Sequence, residues 1–195
     1  MLSLRRCFTL CFGLLLVARI APAQSPAGPL PVRDRRPIAA FLALPATTLP
    51  PFSYPRLGGG APVSSETVRG APALVVFWST FCPHGRSAID AAVQVDAAVR
   101  GRGVRTIILA GNTAKELRAF EDSTRSGLAY GIAGDSALRA HFDQSATAPE
   151  RDRYRIEWVL PGVVVLDRHG RVVARDFGTE GVLRQHALLD SLSRS

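Results

Sequence analysis

Cysteine and lysine are scarce in this sequence, and no stretch of it is apolar for long. Lys115 is the only lysine among 24 basic residues, so the basic character rests on arginine and reads as a compositional bias of the chain. Three of the +8 formal charges belong to Arg5, Arg6 and Arg19, which leaves +5 for the rest, spread along the chain and not gathered in blocks. A nucleic-acid surface needs basic clusters interleaved with exposed aromatic rings, and none is present, so nucleic acid is excluded as a partner. No internal repeat is visible, which removes solenoid architectures. The longest apolar run, Cys7 to Val17, falls short of the roughly 20 residues that span a bilayer. What remains is a chain of 195 residues with 47% hydrophobic content, enough for one domain with a sizeable core plus flanking sequence.

The short apolar run has its own meaning. Arg5 and Arg6 precede it, and Ala21-Pro22-Ala23 supplies small residues after it. Basic start, apolar middle and small-residue end form the three-part pattern of a secretory signal peptide. The expectation is export to the periplasm or an equivalent extracytoplasmic space, with cleavage near Ala23. Contact with the membrane would then arise only through this segment in an uncleaved chain. Cleavage removes Cys7 and Cys11, and Cys82 is left as the only cysteine. Such a chain has no internal disulfide, and an odd thiol in an exported protein points to intermolecular pairing or a reactive site.

Residues 24–51 are rich in Pro, Ala and Arg and read as a linker. The folded domain is expected over 52–195. It starts with a small hairpin around Gly58-Gly59-Gly60, from Phe52 to Val68. Ala73-Leu74-Val75-Val76-Phe77-Trp78 is apolar throughout, the signature of a central strand buried on both faces. From Pro83 to Val99 the apolar residues recur at helical spacing. Val104 to Ala110 forms a second buried strand. Thr113 caps a helix to Ser126, with Glu116 completing a capping box. A weak strand at 128–132, a short helix from Asp135 to Phe142 and a polar loop at 143–153 follow. The strand Gly162 to Leu166 turns at Asp167-Arg168-His169-Gly170 into Arg171 to Phe177, and a last helix covers Glu180 to Leu192. The order predicts an α/β sandwich with a central mixed sheet flanked by helices. Cys82 would lie at the C-terminal end of the central strand, the edge at which open α/β sheets bind ligands.

The segment from Val75 to Arg86, with Trp78, Phe81, Cys82, Pro83 and His84, resembles the active-site stretch of thioredoxin-like proteins. The closest group is the exported TlpA/ResA-type thiol–disulfide oxidoreductases, within the wider redoxin and AhpC/TSA-like set. The Gly-rich hairpin, Val68-Arg69-Gly70 and the Leu160-Pro161 step before Val163 extend the resemblance from about Phe52 to the last helix. It implies a cis-proline at Pro161 beside the reactive cysteine. It also implies a substrate groove formed by Trp78, Phe81, Pro83, Leu160 and Pro161. Catalysis would fall to Cys82 and His84, with no cofactor and no metal. Partners would be protein or small-molecule thiols and disulfides, with a membrane-bound reductase as electron source.

Placing Cys82 at a helix N-terminus aims backbone N–H groups and the positive dipole end at its sulfur. Pro83 suits the first helical position, and His84 and Arg86 can add positive charge. These features predict a thiol pKa below the ordinary value. The family normally carries a second, resolving cysteine three positions on, where this chain has Gly85. Val76 stands where many relatives have a buried acid, and Leu160 where a Thr is common. A cysteine restored at position 85 is expected to recreate a dithiol pair.

The leading expectation is a monothiol oxidoreductase that needs an external resolving thiol. A second is a catalytically degenerate thioredoxin-like binding module. A one-cysteine peroxidase would carry Pro and Thr where this chain has Val75 and Ser79. A Sco-type copper site would need a second cysteine and a placed histidine. His141, His169 and His186 are scattered and read as surface residues.

Overall fold

The computed structural model describes residues 48–49, 51–134 and 160–194. The leader, the linker as far as residue 47, and the expected helix and loop at 135–153 lie outside the described residues.

Two short strands, β1 (Ser53–Tyr54) and β2 (Val63–Ser64), form the antiparallel hairpin. The main sheet follows: β3 (Ala73–Trp78), β4 (Arg105–Ala110), β5 (Ala129–Ile132), β6 (Gly162–Leu166) and β7 (Val172–Phe177). Helix α1 (Gly85–Val99) joins β3 to β4, α2 (Ala114–Thr124) joins β4 to β5, and α3 (Gly178–Ser193) closes the chain. The five main strands lie in the order β5-β4-β3-β6-β7. β3 pairs parallel with β4 and antiparallel with β6, so the sheet is mixed and β3 is its middle strand.

Why β3 takes the middle follows from its side chains. Every residue from Ala73 to Trp78 is buried, because both faces of the sheet are covered. Leu74, Val76 and Trp78 point to one face, where Ala88, Ile89 and Ala92 of α1, Leu117 of α2 and Val182 and Leu189 of α3 pack. Val75 and Phe77 point to the other, under Phe52, Val63 and Val68 of the hairpin region. Period-two alternation thus divides one apolar run between two core clusters. Thr113 caps α2 as expected, its hydroxyl accepting from the Glu116 N–H at 3.3 Å and the Glu116 carboxylate accepting from the Thr113 N–H at 2.9 Å. That geometry holds the Glu116 carboxyl below its ordinary range.

Two boundaries differ from the sequence reading. Thr48, assigned by composition to the linker, bridges antiparallel to Arg171, and Leu49 packs into the core under the hairpin. The folded unit therefore starts earlier than Phe52. Helix α1 starts at Gly85, not Pro83, with His84 as a cap residue that makes no side-chain capping bond. The reason lies in the turn before it: the Cys82 N–H donates to the Ser79 carbonyl at 3.1 Å and the Gly85 N–H to the Cys82 carbonyl at 2.8 Å. These tight turns use the backbone groups that an earlier helical start would need.

Candidate functional site

Chain direction brings Cys82 to the sheet edge. β3 ends at Trp78, and the segment Ser79–His84 crosses the top of the sheet before α1 begins. A side chain from the neighbouring parallel strand's loop fixes that segment. The Thr80 N–H donates to Asn112 Oδ1 at 2.9 Å, and Asn112 Nδ2 donates to Thr80 Oγ1 at 2.6 Å. Asn112 is itself buried, 1% exposed, so both ends of its amide are committed. The Gly111 N–H adds a bond to the Trp78 carbonyl at 2.9 Å. Sequence reasoning missed Asn112. Its position directly after a parallel strand, at the sheet edge that carries the thiol, is the signal that could have found it.

Asn112→Ala would leave the Thr80 N–H and hydroxyl without these partners inside the protein. It is expected to lower stability by about 1–3 kcal/mol and to speed modification of Cys82 by a neutral thiol reagent. Denaturant unfolding paired with reagent kinetics checks both effects.

The thiol of Cys82 is half-buried and is the only free cysteine among the described residues. Its Sγ–H donates to the Leu160 carbonyl at 3.3 Å, across a sequence gap of 78 residues. The Leu160–Pro161 peptide bond is cis, Pro161 is buried, and its carbonyl accepts from the Gly178 N–H at 2.9 Å, which ties this turn to the start of α3. Cys82, Leu160 and Pro161, distant in sequence, therefore meet at one edge. Phe81 stands beside the thiol, 72% exposed, the most exposed large apolar side chain among the described residues. Pro83 and His84 are also exposed.

The electrostatics overturn the expectation of an activated thiolate. Burial pushes the Cys82 thiol above its ordinary pKa, and a hydrogen bond from the His84 backbone N–H only partly offsets this. Two features explain the sign. Burial penalises the charged form, and a carbonyl acceptor stabilises the protonated thiol while offering nothing to a thiolate. The sulfur also lies before α1 and not at its cap, so the dipole acts at a greater distance. His84 reaches the sulfur through its main chain, with its imidazole side chain exposed. Arg86 is engaged elsewhere, 3.4 Å from Asp90 in an exposed pair.

Trp78 is a second correction. It is fully buried and belongs to the core, with its ring 4.6 Å from Phe120 and 6.3 Å from Tyr130, so it does not line a groove. Its indole Nε1 donates to the Gly85 carbonyl at 2.8 Å. Gly85 is buried against that indole. A Cβ at position 85 would sit 2.9 Å from the Ser79 carbonyl oxygen and 3.0 Å from Trp78 Nε1. The space a resolving cysteine would use is filled by backbone and indole. The expectation that a cysteine there simply recreates the pair does not survive this packing.

Comparison with known proteins places this geometry in context. The family model described as AhpC/TSA matches residues 45–175. No curated protein matches the sequence. Among solved structures, a thiol:disulfide interchange protein of the thioredoxin family from Chlorobium tepidum superposes with TM-score 0.59 at 21% identity, over 74% of this chain and 97% of that one. A secreted thiol-disulfide isomerase from Corynebacterium glutamicum gives 0.60 at 15% identity, over 75% and 86%. The thioredoxin domain of a thiol-disulfide oxidoreductase from Bacteroides vulgatus gives 0.58 at 15% identity, over 73% and 94%. At these identities the likeness is one of fold: the mixed sheet with its flanking helices is thioredoxin-like.

Proposed function

This chain belongs to the AhpC/TSA family, and from that membership we propose that it is an exported thioredoxin-fold protein that exchanges disulfides through the single thiol of Cys82. The observation that carries the reading is the meeting of Cys82 Sγ with the Leu160 carbonyl beside Pro161, with the exposed Phe81 preceding the thiol in the chain. The three solved structures, described as interchange, isomerase and oxidoreductase proteins, support thiols and disulfides as the substrate class. A reductase in the membrane would be a suitable electron source for such a protein.

The chemistry runs in two exchanges. Cys82 loses its proton to solvent, and the thiolate attacks one sulfur of a partner disulfide. A bond forms between Cys82 Sγ and that sulfur, the partner's S–S bond breaks, and the second sulfur leaves as a thiolate. With Gly85 in the resolving position, an external thiolate then attacks the partner sulfur and frees Cys82. The external thiol ends in a disulfide with the partner. The His84 backbone N–H is the group placed to stabilise the Cys82 thiolate in both directions.

A degenerate binding module is the second reading, favoured by the thiol's raised pKa. Reaction kinetics separate the two. The sign is fixed: with its pKa raised, Cys82 holds less thiolate at neutral pH than a free cysteine. Its alkylation is therefore expected to be slower at pH 7 than that of a free cysteine and to keep rising beyond the ordinary thiol range. The exchange reading further expects a saturable mixed disulfide with a model disulfide peptide, released by glutathione. Failure to form that adduct, in a folded protein whose thiol still alkylates, would overturn the exchange reading.

A further inference from the structure

A cleft of about 550 Å³ opens at the end of the sheet opposite the thiol. It is bordered by the hairpin, the first residues of β4 and the C-terminal end of α1. Arg105, which lines it, is paired with Ala73 at the start of β3, whereas Cys82 lies beyond that strand's other end. At roughly 3.3 Å per residue the strand alone separates the two by about 17 Å.

The charges around this cleft are unequal. Among the described residues, Arg56, Arg69, Arg100 and Arg105 line it, against Glu66 and Asp96. Asp96 is occupied by Arg100, and Glu66 pairs with Arg69 at 2.8 Å in an exposed bridge worth little by itself. Arg105 donates to the Thr67 and Arg69 carbonyls, which fixes its guanidinium while leaving further N–H groups. The Arg56 side chain has no ion pair or hydrogen bond with any other described residue, although its backbone is anchored by a bridge to Gly131. Thr106 forms part of the wall. It is 6% exposed, and its enclosed hydroxyl has no hydrogen-bond partner among the described residues.

From the unpaired guanidinium and the twofold excess of positive charge around a cleft of this size, we propose that the cleft binds a small organic anion bearing two or more carboxylate or phosphate groups. Guanidinium groups bind both chemistries in bidentate fashion. The volume lies in the range of small-molecule sites and is larger than a single inorganic ion needs. Arg56 grips the anionic groups from the hairpin side and Arg105 from the start of β4, while Arg100 stays on Asp96 and Thr106 backs the wall.

Titration calorimetry of the full chain at physiological ionic strength tests this, with citrate and pyrophosphate as separate probes. One saturating equivalent of either supports the site, and the preferred probe tells carboxylate from phosphate. Arg56→Glu is expected to weaken binding at least tenfold. Arg118→Glu, an equal change of charge on exposed α2 away from the cleft, is expected to leave affinity within about twofold. Arg105→Gln should weaken binding in parallel with Arg56→Glu, and circular dichroism establishes that each variant is folded. Absence of saturable binding by both probes overturns the proposal. So does an equal loss in Arg56→Glu and Arg118→Glu, which would reveal attraction to the chain's overall charge. Cys82→Ser should bind normally, so the outcome is independent of the thiol chemistry.

Discussion

Replacing Gly85 with cysteine is expected to destabilise the protein by about 1–3 kcal/mol, the usual range for overpacking, without producing a working dithiol. The opposing effect is small. A residue other than glycine gains at most about 1 kcal/mol of helix propensity, and less at the first position of α1. Against it stands a Cβ 2.9 Å from the Ser79 carbonyl oxygen, a backbone atom in a segment held by Asn112. Trp78 Nε1, at 3.0 Å, would also have to move, and its bond to the Gly85 carbonyl would go with it. Gly85→Ala carries the same Cβ without the thiol and should lose a similar amount. Urea unfolding of the two variants, with an insulin-reduction assay on the cysteine variant, checks both parts. A cysteine variant as stable as the parent, cycling a disulfide between Cys82 and the introduced thiol, would contradict the packing argument.

Trp78→Ala should have the largest effect on stability of any single change around the site, about 3–5 kcal/mol. The side chain is fully buried and holds two aromatic neighbours, Phe120 and Tyr130. Its N–H is also the only side-chain donor to the carbonyl of the first residue of α1 among the described residues. Trp78→Phe keeps most of the apolar contact and removes the donor, so it should lose considerably less. The difference between the two, read from unfolding midpoints at constant slope, separates packing from hydrogen bonding. Near-equal losses would mean that the hydrogen bond, not the packing, dominates.

Much of the fold was legible because it is written in local periodicity. The apolar run Gly162 to Leu166 has the bounds of the strand it forms, and Thr113 with Glu116 identifies the start of α2 from two residues. The central place of β3 followed from six buried apolar residues in a row. The site was less legible, since its properties depend on contacts between distant segments. A helical pattern near Cys82 suggested a dipole at the sulfur. The turn bonds of Ser79 and Cys82 delay the helix, and the Leu160 carbonyl favours the thiol over the thiolate. Trp78 reads alike as groove or core in one dimension, because it is the last residue of β3 and the apolar run does not say whether α1 and α2 cover that end of the strand. Gly85 was legible as a missing cysteine, but not as a filled space.

The bond from Cys82 to the Leu160 carbonyl also has a consequence in time. Chains are made N-terminus first, so the sulfur exists 78 residues before its acceptor does. Over that interval the thiol has neither the burial nor the acceptor that later suppress its ionisation, and it behaves as an ordinary cysteine. Its ionisation is therefore expected to be least suppressed before β6 and β7 arrive. Completion of the fold quiets the thiol, and a nascent chain would be the form most easily captured by a passing disulfide.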